Sequence, residues 1–252
     1  NYETSAAGVT AGYPANYHAY VDMTTWEAAE ATDLVTDTNS HVVDCDMGST
    51  TIKDTVVVTI EGWTINETYP LTVRGNRATA TGFNATGIWD PTSYYTRSVN
   101  DFHSINHREA STTFDGIQIE IAKNGTNTNG ITSNTSDAIN NIIQNCIFSV
   151  ISGYSSRSAL FADGNNSDWA LYNNVFITIG NGIYGAIYSD SEILVYNNTF
   201  YNCTRAINLT VSVNDPVSFK NNVVFNSGTE DYLDDGIGTR DVDYNATDDP
   251  AS

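Results

Sequence analysis

The sequence contains little cysteine, proline or methionine: 3 Cys, 5 Pro and 2 Met in 252 residues. The cysteines, Cys45, Cys146 and Cys203, are too few for a disulfide framework and too widely spaced for a zinc knuckle, so at least one should be a free thiol. Cys203 falls in the same column as Ile151 and Ile179. That position predicts a buried small apolar residue rather than a nucleophile.

Positive charge is also scarce. The chain has 10 Lys and Arg against 30 Asp and Glu, a formal net charge of -20. Such a chain repels phosphate backbones and anionic lipid surfaces, so nucleic acid is not expected as a partner. No run of 18 apolar residues is present, so no membrane insertion is expected. The chain starts at Asn1 rather than Met, which loss of a signal peptide would explain. We therefore expect an extracellular or cell-surface protein, with a virion as the alternative.

An internal repeat is present in the second half of the chain. Four segments align, at 143–148, 171–176, 195–200 and 219–224. Their central asparagines, Asn145, Asn173, Asn197 and Asn221, are 28, 24 and 24 residues apart. A period near 24 is too short for helical hairpins and suits one turn of three short strands and three corners. Leucine-rich repeats share the length, but their spaced leucines are absent.

Stacked coils would place equivalent residues above one another, about 4.8 Å apart. The repeat therefore predicts interior columns, which are Ile143, Leu171, Val195 and Phe219, then Phe148, Phe176, Phe200 and Val224, and a further one at Ile131, Ala159, Ile183 and Ile207. The 28-residue step predicts a four-residue insertion within 152–158. At the corners, the four repeated asparagines should adopt the left-handed conformation and bond to one another through their amides. This role is structural rather than catalytic.

These coils with Asn-Asn corners resemble the right-handed parallel β-helix proteins of the pectin-lyase-like superfamily. The resemblance covers about residues 42–227 and implies an all-β, single-domain right-handed parallel β-helix with about 24 residues per coil. It leaves the activity open, because members include lyases, hydrolases, phage tailspikes, adhesins and surface-layer proteins. Of the polygalacturonase-like motifs only Asp-Asp occurs, at Asp234-Asp235 and Asp248-Asp249.

The remaining segments suggest how the coil ends. Residues 1–41 form an N-terminal extension with a capping helix over 24–35, in which Thr24 and Glu27 form a capping box. Residues 42–227 form the β-helix, with a lateral loop at about 75–113. Residues 228–252 form an irregular acidic tail or an inter-subunit segment. An open coil is an exposed sheet edge, so this tail, a downstream domain or the next subunit should cover the last coil.

Three groups of residues are candidate sites. Asn-x-Ser/Thr sequons, which would accept glycans in a secreted chain, begin at Asn66, Asn84, Asn124, Asn134, Asn165, Asn197, Asn202, Asn208 and Asn245. A glycan-contact loop is predicted at Tyr94, Tyr95, His103, His107 and Arg108. Carboxylates of the tail could bind Ca²⁺ as a cofactor, and the candidate ligands are Asp231, Asp234, Asp235, Asp241 and Asp243. Simple solvation of the tail is the alternative.

The pattern favours a non-enzymatic structural protein, a glycosylated subunit of a self-assembling surface fibre, sheath or layer. Its expected partners are copies of itself, with glycans as further ligands. One alternative is a phage or viral tail or decoration protein that binds host glycans. The other is a polysaccharide lyase or glycoside hydrolase acting through residues 94–109. No catalytic residue is assigned.

Overall fold

The structure is a computed structural model. It describes residues 2–5, 19–20, 22–46, 55–75, 88–91, 94–98, 103–121, 128–133, 139–150, 158–162, 168–179, 187–189, 192–209, 217–226, 232–234, 240–243 and 245–247. These residues form a parallel β-helix with two short helices and three sheets, in which every strand pair is parallel. The predicted fold class is confirmed.

The strands are labelled in chain order and grouped by sheet. Sheet A has the spatial order β2 (Ala19–Tyr20), β1 (Tyr2–Ser5), β3 (His41–Asp46), β5 (Leu71–Gly75), β8 (Thr112–Asp115), β11 (Asn141–Gln144), β14 (Trp169–Tyr172), β17 (Ile193–Tyr196), β20 (Val217–Lys220) and β23 (Arg240–Asp243). Sheet B contains β4 (Val58–Ile60), β7 (His103–His107), β10 (Asn129–Ser133), β13 (Ser158–Ala162), β16 (Ile187–Ser189), β19 (Ile207–Leu209) and β22 (Tyr232–Asp234). Sheet C contains β6 (Tyr95–Ser98), β9 (Gln118–Ile121), β12 (Ile147–Val150), β15 (Val175–Ile177), β18 (Thr199–Tyr201), β21 (Val223–Phe225) and β24 (Ala246–Thr247).

The two principal interior columns lie in the predicted register. Ile143, Leu171, Val195 and Phe219 pair in succession in sheet A, and Phe148, Phe176, Phe200 and Val224 pair in sheet C. All eight are at most 1% exposed. The rings of Phe176 and Phe200 are stacked 4.6 Å apart at 7°. Apolar burial and aromatic stacking along these columns stabilise the coil.

The column predicted in sheet B is wrong at two of its four positions, by one residue at Ala159 and by four at Ile183. Leu160, not Ala159, pairs with Ile131, and the column continues through Ile187 to Ile207. Ile183 lies outside the described residues. The strands of sheet B follow corners of unequal length, so the 24-residue spacing cannot fix their register.

Only one of the three corners has constant length. From Phe114 onward, five residues separate the sheet A column from the sheet C column in each coil, for example Ile143 from Phe148 and Leu171 from Phe176. In the preceding coil, 23 residues separate Val73 from Thr96.

The other two connections vary. Eleven residues separate Leu160 from Leu171, against eight from Ile187 to Val195. Compared with this next coil, three of the four extra residues lie between β13 and β14. Compared with the coil after it, where seven residues separate Phe200 from Ile207 and twelve separate Ile207 from Phe219, the extra residues lie between β12 and β13. Residues 152–157, part of the predicted insertion segment, lie outside the described residues, and the chain averages 28 residues per turn.

An N-terminal helix covers the first coil, as expected. Helix α1 (Met23–Glu30) packs on β4, with Met23 and Trp26 at most 1% exposed. The predicted capping box is wrong, because Asp22 is the N-cap and accepts from the Thr25 amide at 2.6 Å. Asp33 caps a separate helix, α2 (Leu34–Asp37). The predicted single helix over 24–35 is thus two helices.

Strands also occur where irregular segments were expected. β22, β23 and β24 lie in the acidic tail and pair with β19, β20 and β21. β6 and β7 lie within the segment expected to be a lateral loop. In the tail, dense aspartate hides the alternation that places Val242 in the column of Phe219. No described helix is long and apolar enough to cross a bilayer.

Candidate functional site

The predicted glycan-contact loop is wrong, because its five residues share no open surface. Tyr94, Tyr95 and His107 are only 4%, 1% and 0% exposed. His103 is half-buried, with Nδ1 2.9 Å from Thr132 Oγ1. Only Arg108 is exposed, and its Nη1 donates to Glu61 Oε2 at 2.7 Å. Tyr94, Tyr95 and His107 are therefore not available to contact a polysaccharide.

His107 is packed between two aromatic rings. The ring centroids of Phe114 and Trp169 lie 5.6 and 5.3 Å from its own, both nearly edge-on. Neither ring nitrogen has a hydrogen-bond partner among the described residues. Complete burial lowers the pKa of His107 to about 3, so the imidazole is neutral near pH 7. A general acid or base must reach its substrate, which this ring does not.

Two carboxylates, the buried Glu27 and the half-buried Glu109, hold the segment 61–63. Glu27 Oε1 accepts from the Glu61 amide at 2.8 Å and from Trp63 Nε1 at 2.9 Å. Glu109 Oε1 accepts from the Trp63 amide at 3.1 Å. Burial raises the pKa of both Glu27 and Glu109. Perturbed carboxylates often mark catalytic sites, but here their bonds fasten a turn beneath α1, which is a structural role.

The three cysteines are buried free thiols. Burial raises the pKa of Cys146 and Cys203 to about 12. Because the thiolate is the reactive form, neither residue suits nucleophilic catalysis.

The repeated corner asparagines all have left-handed backbone. Their φ angles are 55° at Asn145, 56° at Asn173, 59° at Asn197 and 55° at Asn221. Asparagine tolerates this conformation better than most residues because its short polar side chain bonds locally. Asn145 Nδ2 donates to the carboxylate of Asp115 at 2.7 Å.

The stacked amides lie one residue further along than predicted. Asn174 donates through its backbone N–H and its Nδ2 to Asn198 Oδ1, at 2.8 and 3.0 Å. Asn198 donates in the same way to Asn222, and Asn222 to Asn245. We call Asn174, Asn198, Asn222 and Asn245 the inner amide ladder. The first three are at most 1% exposed.

For Asn174, Asn198 and Asn222 the signal for the inner amide ladder was present in the sequence as the second Asn of an Asn-Asn pair. Asn245 follows a tyrosine and had no such signal. Cys146 occupies the equivalent position one coil before Asn174. Its amide donates to Asn174 Oδ1 at 2.9 Å, and its thiol lies 3.2 Å from the Gln144 carbonyl. Which asparagine of each pair turns inward depends on the corner geometry, and the spacing alone does not give it.

The structure separates the nine sequons into groups. Asn66, Asn197 and Asn202 are exposed. Asn208 is 6% exposed, and Asn245 donates through Nδ2 to the Phe219 carbonyl at 2.8 Å as part of the inner amide ladder. Glycan attachment at these two positions would therefore compete with burial and ladder bonding. Asn84, Asn124, Asn134 and Asn165 lie outside the described residues.

The predicted calcium ligands are only partly described. Asp241 and Asp243 are exposed, and Asp241 forms an ion pair with Lys220. Asp234 lies in β22, while Asp231 and Asp235 fall outside the described residues. Within the described part of the chain, no three His, Cys, Asp or Glu side chains form a group that could hold a metal.

A groove runs across the outer face of sheet A. It has a volume of about 230 Å³ and is lined by Asn140, Asn141, Ile142, Asp168, Trp169, Ala170, Glu192 and Leu194. A second concavity on the side of Glu67 and Thr113 shares Asn140 and Ile142 with it. Beyond Ala170 and Leu194 in the same strands, Tyr172 and Tyr196 stack 5.8 Å apart at 13°. Half-buried apolar and amide groups beside two carboxylates make this groove a candidate ligand site.

No protein-family model matches the chain, and no match was found among the curated proteins or the solved structures.

Proposed function

We propose that this protein is a subunit of an extracellular structural assembly, a surface fibre, sheath or layer, built from copies of itself. The observation that carries the proposal is an uncovered interior position at the C-terminal end. Val242 pairs with Phe219 in the main interior column of sheet A, yet it is 55% exposed. The preceding members of that column are at most 1% exposed, and they are Val43, Val73, Phe114, Ile143, Leu171, Val195 and Phe219. Contact with another subunit would bury this apolar end.

The strand edges at this end support the same proposal. β22, β23 and β24 are the last strands of their sheets among the described residues. Outer edges of parallel strands carry backbone donors and acceptors that can pair with strands of another chain. We call these three strands the C-terminal edge.

The two ends of the coil differ, which limits how copies can join. Helix α1 packs on β4, so among the described residues sheet B offers a C-terminal edge no matching open edge at that end. Two C-terminal edges can instead meet about a two-fold axis. If that pairing is centred on Val242, Asp241 of one copy faces Asp243 of the other. Like charges opposite each other are unfavourable, so we propose that Ca²⁺ or high ionic strength supports this contact.

Val242→Asp tests the axial contact. We expect it to abolish association through the C-terminal edge, because a carboxylate would then lie at the centre of the interface. The fold should survive, since Val242 is already 55% exposed. Val56→Asp is the matched control, because Val56 is 58% exposed and lies far along the chain from the edge. Sedimentation velocity with and without Ca²⁺ measures the result. Equal association of wild type and Val242→Asp in Ca²⁺ would contradict the proposal.

The extracellular location and the glycosylation belong to the same proposal, with a virion as the alternative location. Exposed sequons at Asn66, Asn197 and Asn202 support it. We also propose that the coil belongs with the pectin-lyase-like β-helix proteins. Three parallel sheets around an apolar interior, with asparagine at a constant corner, support this assignment.

Glycan binding is the second candidate function, and the groove on sheet A favours it. Ile142, Ala170 and Leu194 offer apolar contact, while Asp168 and Glu192 would repel anionic sugars. We expect neutral oligosaccharides, but not oligogalacturonate, to perturb the groove resonances in an NMR titration. Ala170→Trp would fill the groove and should weaken binding at least about tenfold, a change of about 1.4 kcal/mol. Equal binding to wild type and Ala170→Trp would locate the glycan elsewhere.

A further inference from the structure

The outer surface of sheet C is mainly apolar on β15, β18 and β21, whereas β6 and β9 of the same sheet carry the ion pair Arg97–Glu120. In β15, β18 and β21 the central residues Phe176, Phe200 and Val224 are buried in the coil, so the residues on either side of them point outward. We call these six residues the neutral face, and they are Val175, Ile177, Thr199, Tyr201, Val223 and Phe225. Tyr201 and Phe225 are 47% and 40% exposed, and their rings lie 5.9 Å apart at 67°.

The neutral face and its corners carry no charge. None of the segments 145–151, 173–179, 197–203 and 221–227 contains Asp, Glu, Lys, Arg or His. Charged residues make up 16% of the chain, so about four would be expected in segments of this combined length. The outer face of sheet A, by contrast, carries Asp115, Lys220, Asp241 and Asp243.

The corner beside the neutral face is fixed by a second polar column. Asn226 Nδ2 donates to Asn202 Oδ1 at 3.0 Å, and Asn202 Nδ2 donates to Thr178 Oγ1 at 3.3 Å. All three residues have left-handed backbone, with φ between 54° and 57°. The strands of the face are thus held in register at their ends, and little conformational entropy would be lost on binding.

We infer that the neutral face is a second self-contact, through which another copy of this chain packs sheet against sheet. The inference rests on the proposed structural role, because a two-fold contact between C-terminal edges gives only a closed dimer. A fibre or layer needs one more contact. Two chains of charge -20 repel each other wherever carboxylates meet, and the neutral face lets them approach without that cost.

The size of the face sets the strength of the contact. Three strands at about 4.8 Å and three residues at about 3.3 Å give roughly 140 Å² per subunit. A stable dimer buries about 800 Å² per partner. The lateral contact is therefore weak in isolated subunits. It becomes effective when axial pairing presents two neutral faces at once, since linked sites bind with a high effective concentration.

Glycans would regulate this contact. The sequons at Asn197 and Asn202 flank β18, and both asparagines are exposed. A sugar on either residue would occupy the space that a second sheet needs, which lies about 10 Å away. Lateral packing thus requires copies without glycans at these two positions.

Tyr201→Asp/Phe225→Asp tests the contact in unglycosylated protein. Both side chains are exposed, so the fold should tolerate the change, which circular dichroism would verify. Val56→Asp/Ile88→Asp is the matched control, because those residues are 58% and 70% exposed outside sheet C and the added charge is the same. All variants carry Val242→Asp, which removes the axial contact and separates the two proposals.

A small interface gives weak association, so sedimentation equilibrium should extend to about 1 mM subunit. Under these conditions the Val242→Asp protein and its control should associate. Association of Tyr201→Asp/Phe225→Asp should be at least tenfold weaker. Phe225→Cys should also form a disulfide-linked dimer, since the native thiols are buried. Equal association of both double variants would overturn the inference, as would monomers throughout with no cross-link. Binding of a neutral oligosaccharide to the face without self-association would overturn it in favour of a glycan site.

Discussion

Replacing Asn198 with alanine is expected to lower the free energy of unfolding by about 3–5 kcal/mol and the melting temperature by about 10 °C. Asn198 is 1% exposed and forms the centre of the inner amide ladder. Its Oδ1 accepts two bonds from Asn174, and its Nδ2 donates to the carbonyls of Leu171 and Tyr196 at 3.0 Å each. Alanine would leave several buried polar groups without partners, each costing about 1–3 kcal/mol.

Asn197→Gly is the matched control for Asn198→Ala. Asn197 is exposed with φ of 59°, a conformation that glycine adopts without strain, so stability should change by less than about 1 kcal/mol. Urea unfolding of both variants measures the difference. Similar losses at Asn197 and Asn198 would mean that the corner conformation, rather than the inner amide ladder, stabilises the coil.

Acid is expected to destabilise the coil through His107. The unfolded imidazole binds a proton near pH 6.5, whereas the folded one has a pKa of about 3. Between these pH values the unfolded state binds one more proton than the folded state. The free energy of unfolding therefore decreases by about 1.4 kcal/mol for each unit by which the pH is lowered. Above pH 6.5 the ring is neutral in both states and contributes no pH dependence. From pH 7 to 4.5 the expected loss is about 3 kcal/mol.

His107→Phe should remove this part of the acid sensitivity. Phenylalanine keeps the edge-on contacts with Phe114 and Trp169 and eliminates two ring nitrogens without described partners. Stability at pH 7 should therefore be equal or higher. Urea unfolding at pH 7 and 4.5 compares wild type, His107→Phe and the control His103→Gln, which retains His107. Parallel pH profiles for all three proteins would show that His107 does not cause the acid sensitivity.

The neutral face and the C-terminal edge are the two contacts of the proposed assembly. We expect contact at the acidic edge to depend on counter-ions and contact at the uncharged face to be insensitive to salt. Ionic strength should therefore affect axial association and leave lateral association nearly unchanged. The two contacts can be distinguished by this difference alone.

The fold class was predicted correctly, but two of the site predictions were wrong. Two histidines and two tyrosines in a polar stretch predicted a glycan loop, but β6 and β7 pair into the coil, and Tyr94, Tyr95 and His107 are buried. The Asn-Asn repeat predicted a ladder at the first asparagine, whereas the second one makes the bonds. In both cases the sequence indicated which residues matter, but it did not give the direction in which their side chains point.

The sequence by itself determined the parallel coil and its two main columns, because the five-residue corner between sheets A and C has constant length and keeps Ile143 and Phe148 in phase with their equivalents. Only the tertiary structure decided the register of sheet B, the inward turn of Asn198, the burial of His107 and the exposure of Val242. The physical reason is that two connections in each coil vary in length, while their sum with the constant corner gives 28, 24 and 24 residues from Ile143 to Phe219. Periodicity records that sum, while the direction of each side chain depends on the separate parts.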